Sequence, residues 1–157
     1  MDITIKDDEF RFGVRTIALI FNNDLSKVLV QIMNGKHYMF PGGRLHVLED
    51  SKSALKRELV EELNLKTHLR LKYTCESISL LPNGKKYHEI GFYYITKINK
   101  DLDCLKSLDK NDGDIEFVWV NINELDKYNI VPINIVNEIM LGKAFTNGYK
   151  HLIYNGE

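Results

Sequence analysis

Residues 41–65, PGGRLHVLEDSKSALKRELVEELNL, limit the architecture more than any other part of the chain. Pro41, Gly42 and Gly43 read as a loop, because proline and glycine interrupt regular elements. Helix signals begin at Asp50 and Ser51, either of which can accept hydrogen bonds from the first unpaired N–H groups. Leu55, Leu59 and Leu63 then recur every four residues and form one apolar stripe. Asn64 stands where the pattern stops, and asparagine tolerates the left-handed backbone of a helix end. A helix with a single apolar stripe has to lie on another layer.

The flanking segments supply that layer. Residues 14–21 are an apolar, β-rich run, and residues 27–33 read as their partner across the turn NNDLS. Residues 69–81 and 85–98 are both β-like and are separated by PNG, so they read as a long antiparallel pair. Residues 101–114 form a polar, acidic loop, and residues 115–120 a further strand. Asn121 or Asn123 can cap a short helix over ELDKY. Pro132 suits the first turn of another helix, with Ile135, Val136, Ile139 and Met140 as its stripe and Gly142 as its end. YKHLIY reads as a last edge strand or a docked tail. The expected class is α/β, a mixed sheet packed between helices, with residues 1–157 as one domain.

Composition narrows the function. With 44% hydrophobic and 27% charged residues the chain reads as soluble and globular. A net charge of -1 argues against nucleic acid or an anionic membrane as partner. No stretch approaches the roughly 20 apolar residues of a membrane span. The acidic N-terminus does not resemble a signal peptide. Cys75 and Cys104 lack metal or redox spacing and read as reduced thiols. Together these features lead us to expect a cytoplasmic protein.

A charge run on a helix is most often a solvated face. Such faces gain from opposite charges three or four residues apart. Here Glu58 faces Glu61 and Glu62, all of one sign, and no cation sits at the right helical spacing from Glu58. Arg57 reaches Glu61 by spacing alone. A divalent cation turns this repulsion into coordination, and hard carboxylate oxygens suit Mg²⁺ or Mn²⁺. Mg²⁺ is usually completed by waters and substrate phosphates, so the cluster points to a phosphate-bearing substrate. Gly42 and Gly43 let the backbone approach other groups closely and can leave N–H groups free for anions.

Taken whole, the stretch resembles the Nudix box. That pattern is Gly, five residues, Glu, seven residues, Arg-Glu-apolar-x-Glu-Glu, one residue, Gly and an apolar residue. Here it falls on Gly43, Glu49, Arg57, Glu58, Leu59, Glu61, Glu62, Asn64 and Leu65, with Asn64 replacing the last glycine. A chance match this good is on the order of 1 in 100,000 at average residue usage. RFGVRTIALI, FPGGR, YHEIGFYYI and FVWVNINEL follow the order of segments seen in many bacterial members. His46 and Leu48 depart from the glutamate and glycine often found there, which puts an auxiliary carboxylate in doubt and suggests a differently shaped loop.

The resemblance implies an α/β/α sandwich and metal-dependent hydrolysis of a nucleoside diphosphate linked to another moiety. It makes Glu58, Glu61 and Glu62 the ligands of Mg²⁺ or Mn²⁺, with Glu58 also positioning or deprotonating the attacking water. It gives Arg57 and Glu49 the task of orienting those acids, and residues 42–48, with Gly42, Gly43 and Arg44, the task of shaping the cofactor and phosphate site. Family members often add an acid from outside the box. Glu116 is the first candidate, with Asp112, Asp114 and Glu89 behind it. The expected partner is a small nucleotide derivative, and a homodimer follows by family analogy alone. The rival class is a Nudix-like module that senses a nucleotide without turnover.

Other residues carry weaker signals. The five histidines lack metal-ligand spacing. Trp119 reads as core. Tyr93 and Tyr94 alternate on a strand, one pointing inward and one outward. Arg15 reads either as a phosphate contact or, slightly favoured, as half of an ion pair.

Overall fold

A computed structural model describes residues 1–99, 105–109 and 113–156. The described residues form one mixed sheet with helices on both faces, the expected α/β/α sandwich. Its strands are β1 (Thr4–Lys6), β2 (Phe10–Phe21), β3 (Lys27–Met33), β4 (His37–Met39), β5 (Gly42–Arg44), β6 (Arg70–Leu80), β7 (Lys86–Lys97), β8 (Leu105–Lys106), β9 (Ile115–Asn121) and β10 (Lys150–Asn155). Two α-helices, α1 (Ser51–Leu63) and α2 (Ile133–Met140), and a 3₁₀ helix (Ile122–Tyr128) complete the described residues.

The main strand order is β10-β6-β7-β2-β3-β9-β8. β2 and β7 are parallel along their whole length, and β10 lies parallel to β6 at the edge. From Ile17 to Phe21 every residue of β2 is buried, as expected of a strand covered on both faces. Ile17, Leu19 and Phe21 enter the core under α2 and the 3₁₀ helix, whereas Ala18 and Ile20 enter the core under α1. The double cover corrects the expectation for the tyrosine pair. Tyr93 and Tyr94 do point to opposite faces, yet both are buried, and the Tyr94 hydroxyl lies 2.8 Å from Ser51 Oγ.

One break in the sheet positions the site. β2 and β3 register at a single pair, Phe21 with Val28, and then part. β5 occupies the edge of β2 at residues 15–17, and β4 lines β3. α1 packs on β2 and β5 beside this split. Residues 42–44, expected as loop, are therefore a short strand: glycine lets the backbone pack edge to edge with β2. A Cβ on Gly42 would fall 2.2 Å from the Thr16 carbonyl oxygen.

The helix ends follow their residues. Asp50 caps α1, its Oδ1 accepting from the backbone N–H of Lys52 and of Ser53 at 3.0 Å. Asn64 closes it at φ 49°, ψ 37°, with Leu65 N–H reaching the Leu59 carbonyl. Pro132 stands one position before α2 rather than inside its first turn. Within the expected loop 101–114, Leu105 and Lys106 pair with β9, while Cys104 and Asp112 lie outside the described residues. Cys75 is a buried free thiol whose pKa is pushed up by burial.

Candidate functional site

α1 carries its acids from the exposed flank to the covered one. The Glu61 side chain is 44% exposed, Glu58 16%, and Glu62 as a residue only 4%. Glu62 belongs to the buried set of α1 together with Leu55, Leu59 and Leu63. Glu58 lies directly over Gly43: a Cβ there would fall 2.2 Å from the Glu58 carboxyl carbon. Gly43 is therefore needed as much for room as for backbone freedom.

Arg57 organises the cluster. Its Nε and Nη2 donate to the two oxygens of Glu49 at 3.0 Å each. Nη2 also donates to the Arg44 carbonyl at 3.3 Å. Nη1 donates to Glu58 at 2.8 Å and to Glu61 at 3.3 Å. All five guanidinium N–H donors are thereby used. No cation lies three or four residues from Glu58, as expected, but the adjacent Arg57 reaches it. Adjacent helical side chains normally diverge. Arg57 turns back because Glu49, on the loop before the helix, anchors its fork. The Arg57 hydrogen bonds, reinforced by its charge, hold the Glu49 carboxyl below its ordinary value of 4.5 against the opposing effect of burial.

The loop before α1 is tied down at several points. His46 lies 3.3 Å from Asp2 and its N–H donates to Glu49 at 3.2 Å, so it joins the N-terminus to the box. Leu48 sits at φ 67° and is fully exposed. It thus takes a left-handed backbone that glycine adopts readily, so this departure does not straighten the loop. Thr16 Oγ1 donates to the Ser51 carbonyl at 2.8 Å and fixes the helix start on β2.

Among the described residues, no three His, Cys, Asp or Glu side chains converge as a ready metal cage. The donor chemistry nevertheless fits a hard divalent cation: three carboxylates share a helix, and Arg57 holds two of them together at the split.

The acids outside the box are dispersed. Glu116 lies on β9 between Ile115 and Phe117, which face the α1-side core, so alternation turns it to the opposite face. Asp114 is at the start of the same strand, where its carbonyl accepts from Asn34 N–H. The Glu89 carboxylate accepts from the Tyr87 hydroxyl on β7. An acid missed in the sequence is closer to α1. Leu108 N–H donates to the Glu62 carbonyl at 2.9 Å, which lays residues 107–109, and with them Asp109, against the end of the helix. No local pattern announces that contact.

A domain-family model described as NUDIX domain matches residues 11–138. The fold resembles a MutT protein from Bacillus halodurans with a TM-score of 0.66 at 15% identity, covering 91% of this chain and 89% of that one. A MutT protein from Methanosarcina mazei gives 0.59 at 18% identity, covering 85% and 94%. A NUDIX-family hydrolase from Clostridium perfringens gives 0.56 at 16% identity, covering 83% and 95%. At these identities the structural likeness speaks for the fold alone. Among curated proteins, none matches this chain in sequence.

The family match over residues 11–138 places the chain among hydrolases acting on phosphoric anhydride bonds. The chain belongs to the NUDIX family. That family generally uses divalent cations and acts on nucleoside diphosphate derivatives. No helix among the described residues is long and apolar enough to cross a membrane.

Proposed function

We propose that this chain is a Mg²⁺- or Mn²⁺-dependent pyrophosphohydrolase that cleaves the diphosphate linkage of a nucleoside diphosphate joined to another moiety. The observation that supports it most is the spacing of Glu58, Glu61 and Glu62 relative to Gly43, Glu49 and Arg57, with Glu49, Glu58 and Glu61 gathered on one guanidinium. In this reading Glu58, Glu61 and Glu62 hold the metal. Bound there, the cation polarises phosphoryl oxygens and lowers the pKa of a bound water.

Arg57 holds Glu49 through Nε and Nη2 but touches Glu58 and Glu61 through Nη1 alone. The Nη1 contacts can therefore yield to a ligand while the fork on Glu49 keeps the loop and helix in register. Glu58, packed on Gly43, positions the attacking water and receives its proton. Arg44 borders the site on β5. Asp109 replaces Glu116 as the favoured acid from outside the box, because its segment is hydrogen-bonded to α1. The proposal extends to one domain over residues 1–157, acting in the cytoplasm.

The test is a panel of nucleotides, nucleotide sugars and dinucleoside polyphosphates with Mg²⁺ or Mn²⁺. The expected result is metal-dependent release of nucleotide or phosphate, and silence across the panel would sink the enzyme reading. Glu61→Gln is expected to cut turnover severely with the fold intact by circular dichroism. Unchanged turnover would remove Glu61 from the metal site.

A further inference from the structure

Among the described residues, Arg15 in the middle of β2 forms no ion pair. Its Nε is shielded from solvent and lacks a hydrogen-bond partner, and no described carboxylate forms an ion pair with it. This removes the ion-pair explanation favoured from the sequence. The other arginines around the split are engaged. Arg57 uses all its donors, Arg44 lies 3.5 Å from Asp2, and Arg11 sits 5.9 Å over the Tyr87 ring.

The neighbours of Arg15 sharpen the anomaly. Its register partners are Gly91 on β7, which has no side chain, and Arg44 on β5. Arg15 and Arg44 thus stand directly opposite each other on adjacent strands and share a face. Like charges in that relation repel. The nearest acid by register is Glu89, opposite Gly13 two residues along β2, and it already accepts from the Tyr87 hydroxyl. A half-buried guanidinium whose Nε is left unsatisfied and which is set against a second cation costs stability in the free protein. An anion between the two cations removes both penalties. A phosphate matches the guanidinium fork with two parallel hydrogen bonds.

The position suits the substrate. Arg44 is the last residue of β5, next to Gly43 under Glu58, and its carbonyl accepts from Arg57. Gly43 faces Glu58, so alternation turns Arg44, and with it Arg15, to the opposite face of the sheet, and the cation pair and the acidic cluster adjoin only at the split, where β5 carries both. We propose that Arg15, together with Arg44, binds a phosphate of the nucleotide substrate at the split of the sheet. The substrate class rests on the hydrolase reading above, while the binding claim can be tested without turnover.

The experiment is calorimetric titration of the full chain with imidodiphosphate, a diphosphate that resists hydrolysis, in the presence of Mg²⁺. Wild type is expected to bind, Arg15→Met to bind at least tenfold more weakly, and Arg15→Lys to recover part of the loss. The thermal midpoint of Arg15→Met is expected to equal or exceed that of wild type, because a half-buried cation facing a second one has been removed. Arg15→Gln serves the same purpose if the methionine variant does not fold. Unchanged affinity in a folded variant overturns the proposal, as does failure of wild type to bind the probe. A lowered midpoint with unchanged binding identifies Arg15 as structural and also overturns it. Arg15-dependent binding in a protein that hydrolyses nothing on the panel would leave this site standing and reject the hydrolase reading.

Discussion

Gly43 and Glu49 show how single residues set the acidic cluster. Gly43→Ala places a Cβ 2.2 Å from the Glu58 carboxyl carbon, so the carboxylate must move. A displacement of this kind is expected to lower kcat about 100-fold, measured on whichever panel substrate is turned over. Glu49 carries a pH signature. Its folded pKa is depressed below 4.5 by Arg57, so its stabilising contribution is present above that pH and is lost as pH falls through the folded value. Thermal midpoints of wild type and Glu49→Gln are expected to differ most above pH 4.5 and to converge in more acidic buffer. A difference that persisted unchanged below that range would mean that the carboxylate charge is not what holds Arg57.

At the scale of the element, α1 is defined by its ends as much as by its stripe. Asn64 occupies the left-handed closing position that the family pattern gives to glycine, and Leu65 behind it is buried. Asn64→Ala is expected to cost roughly 1 kcal/mol, because alanine cannot relieve the left-handed strain through its side chain. Asn64→Gly is expected to be neutral or stabilising. Chemical denaturation of the two variants checks both, and equal midpoints would argue that the cap contributes nothing.

For the whole molecule, the far edge of the sheet depends on one buried cation. Lys72 on β6 is 3% exposed, and its Nζ donates to the carbonyls of Thr146 at 2.8 Å and Gly148 at 3.0 Å. These bonds fasten the connection that delivers β10 to β6. Hydrogen bonds to charged groups are worth about 1.5–3 kcal/mol. Lys72→Met is therefore expected to speed amide exchange across β10 by on the order of tenfold or more, while α1 amides change little. Uniform acceleration across the chain would mean instead that Lys72 supports the global fold.

Local pattern carries information about backbone and burial within one element, and that much was legible. The α1 stripe, the Asp50 cap, the Asn64 stop, the β6–β7 hairpin and the family resemblance all follow from residues close in sequence. Contacts between distant segments were not legible. Residues 42–44 become a strand because β2 offers an edge where it parts from β3. Tyr94 is buried because helices cover both faces of the sheet. Glu116 faces away from α1 while Asp109 follows a residue bonded to it, a difference set by strand alternation and one backbone hydrogen bond. Arg15 looked like half of an ion pair until the strands placed it opposite Arg44, its Nε without a hydrogen-bond partner and the nearest acid by register, Glu89, already accepting from Tyr87. The sequence therefore determines the long elements, their ends and the chemistry that the acidic helix carries. Tertiary packing decides which side chains meet, because side-chain neighbours across a sheet depend on register between segments far apart in the chain.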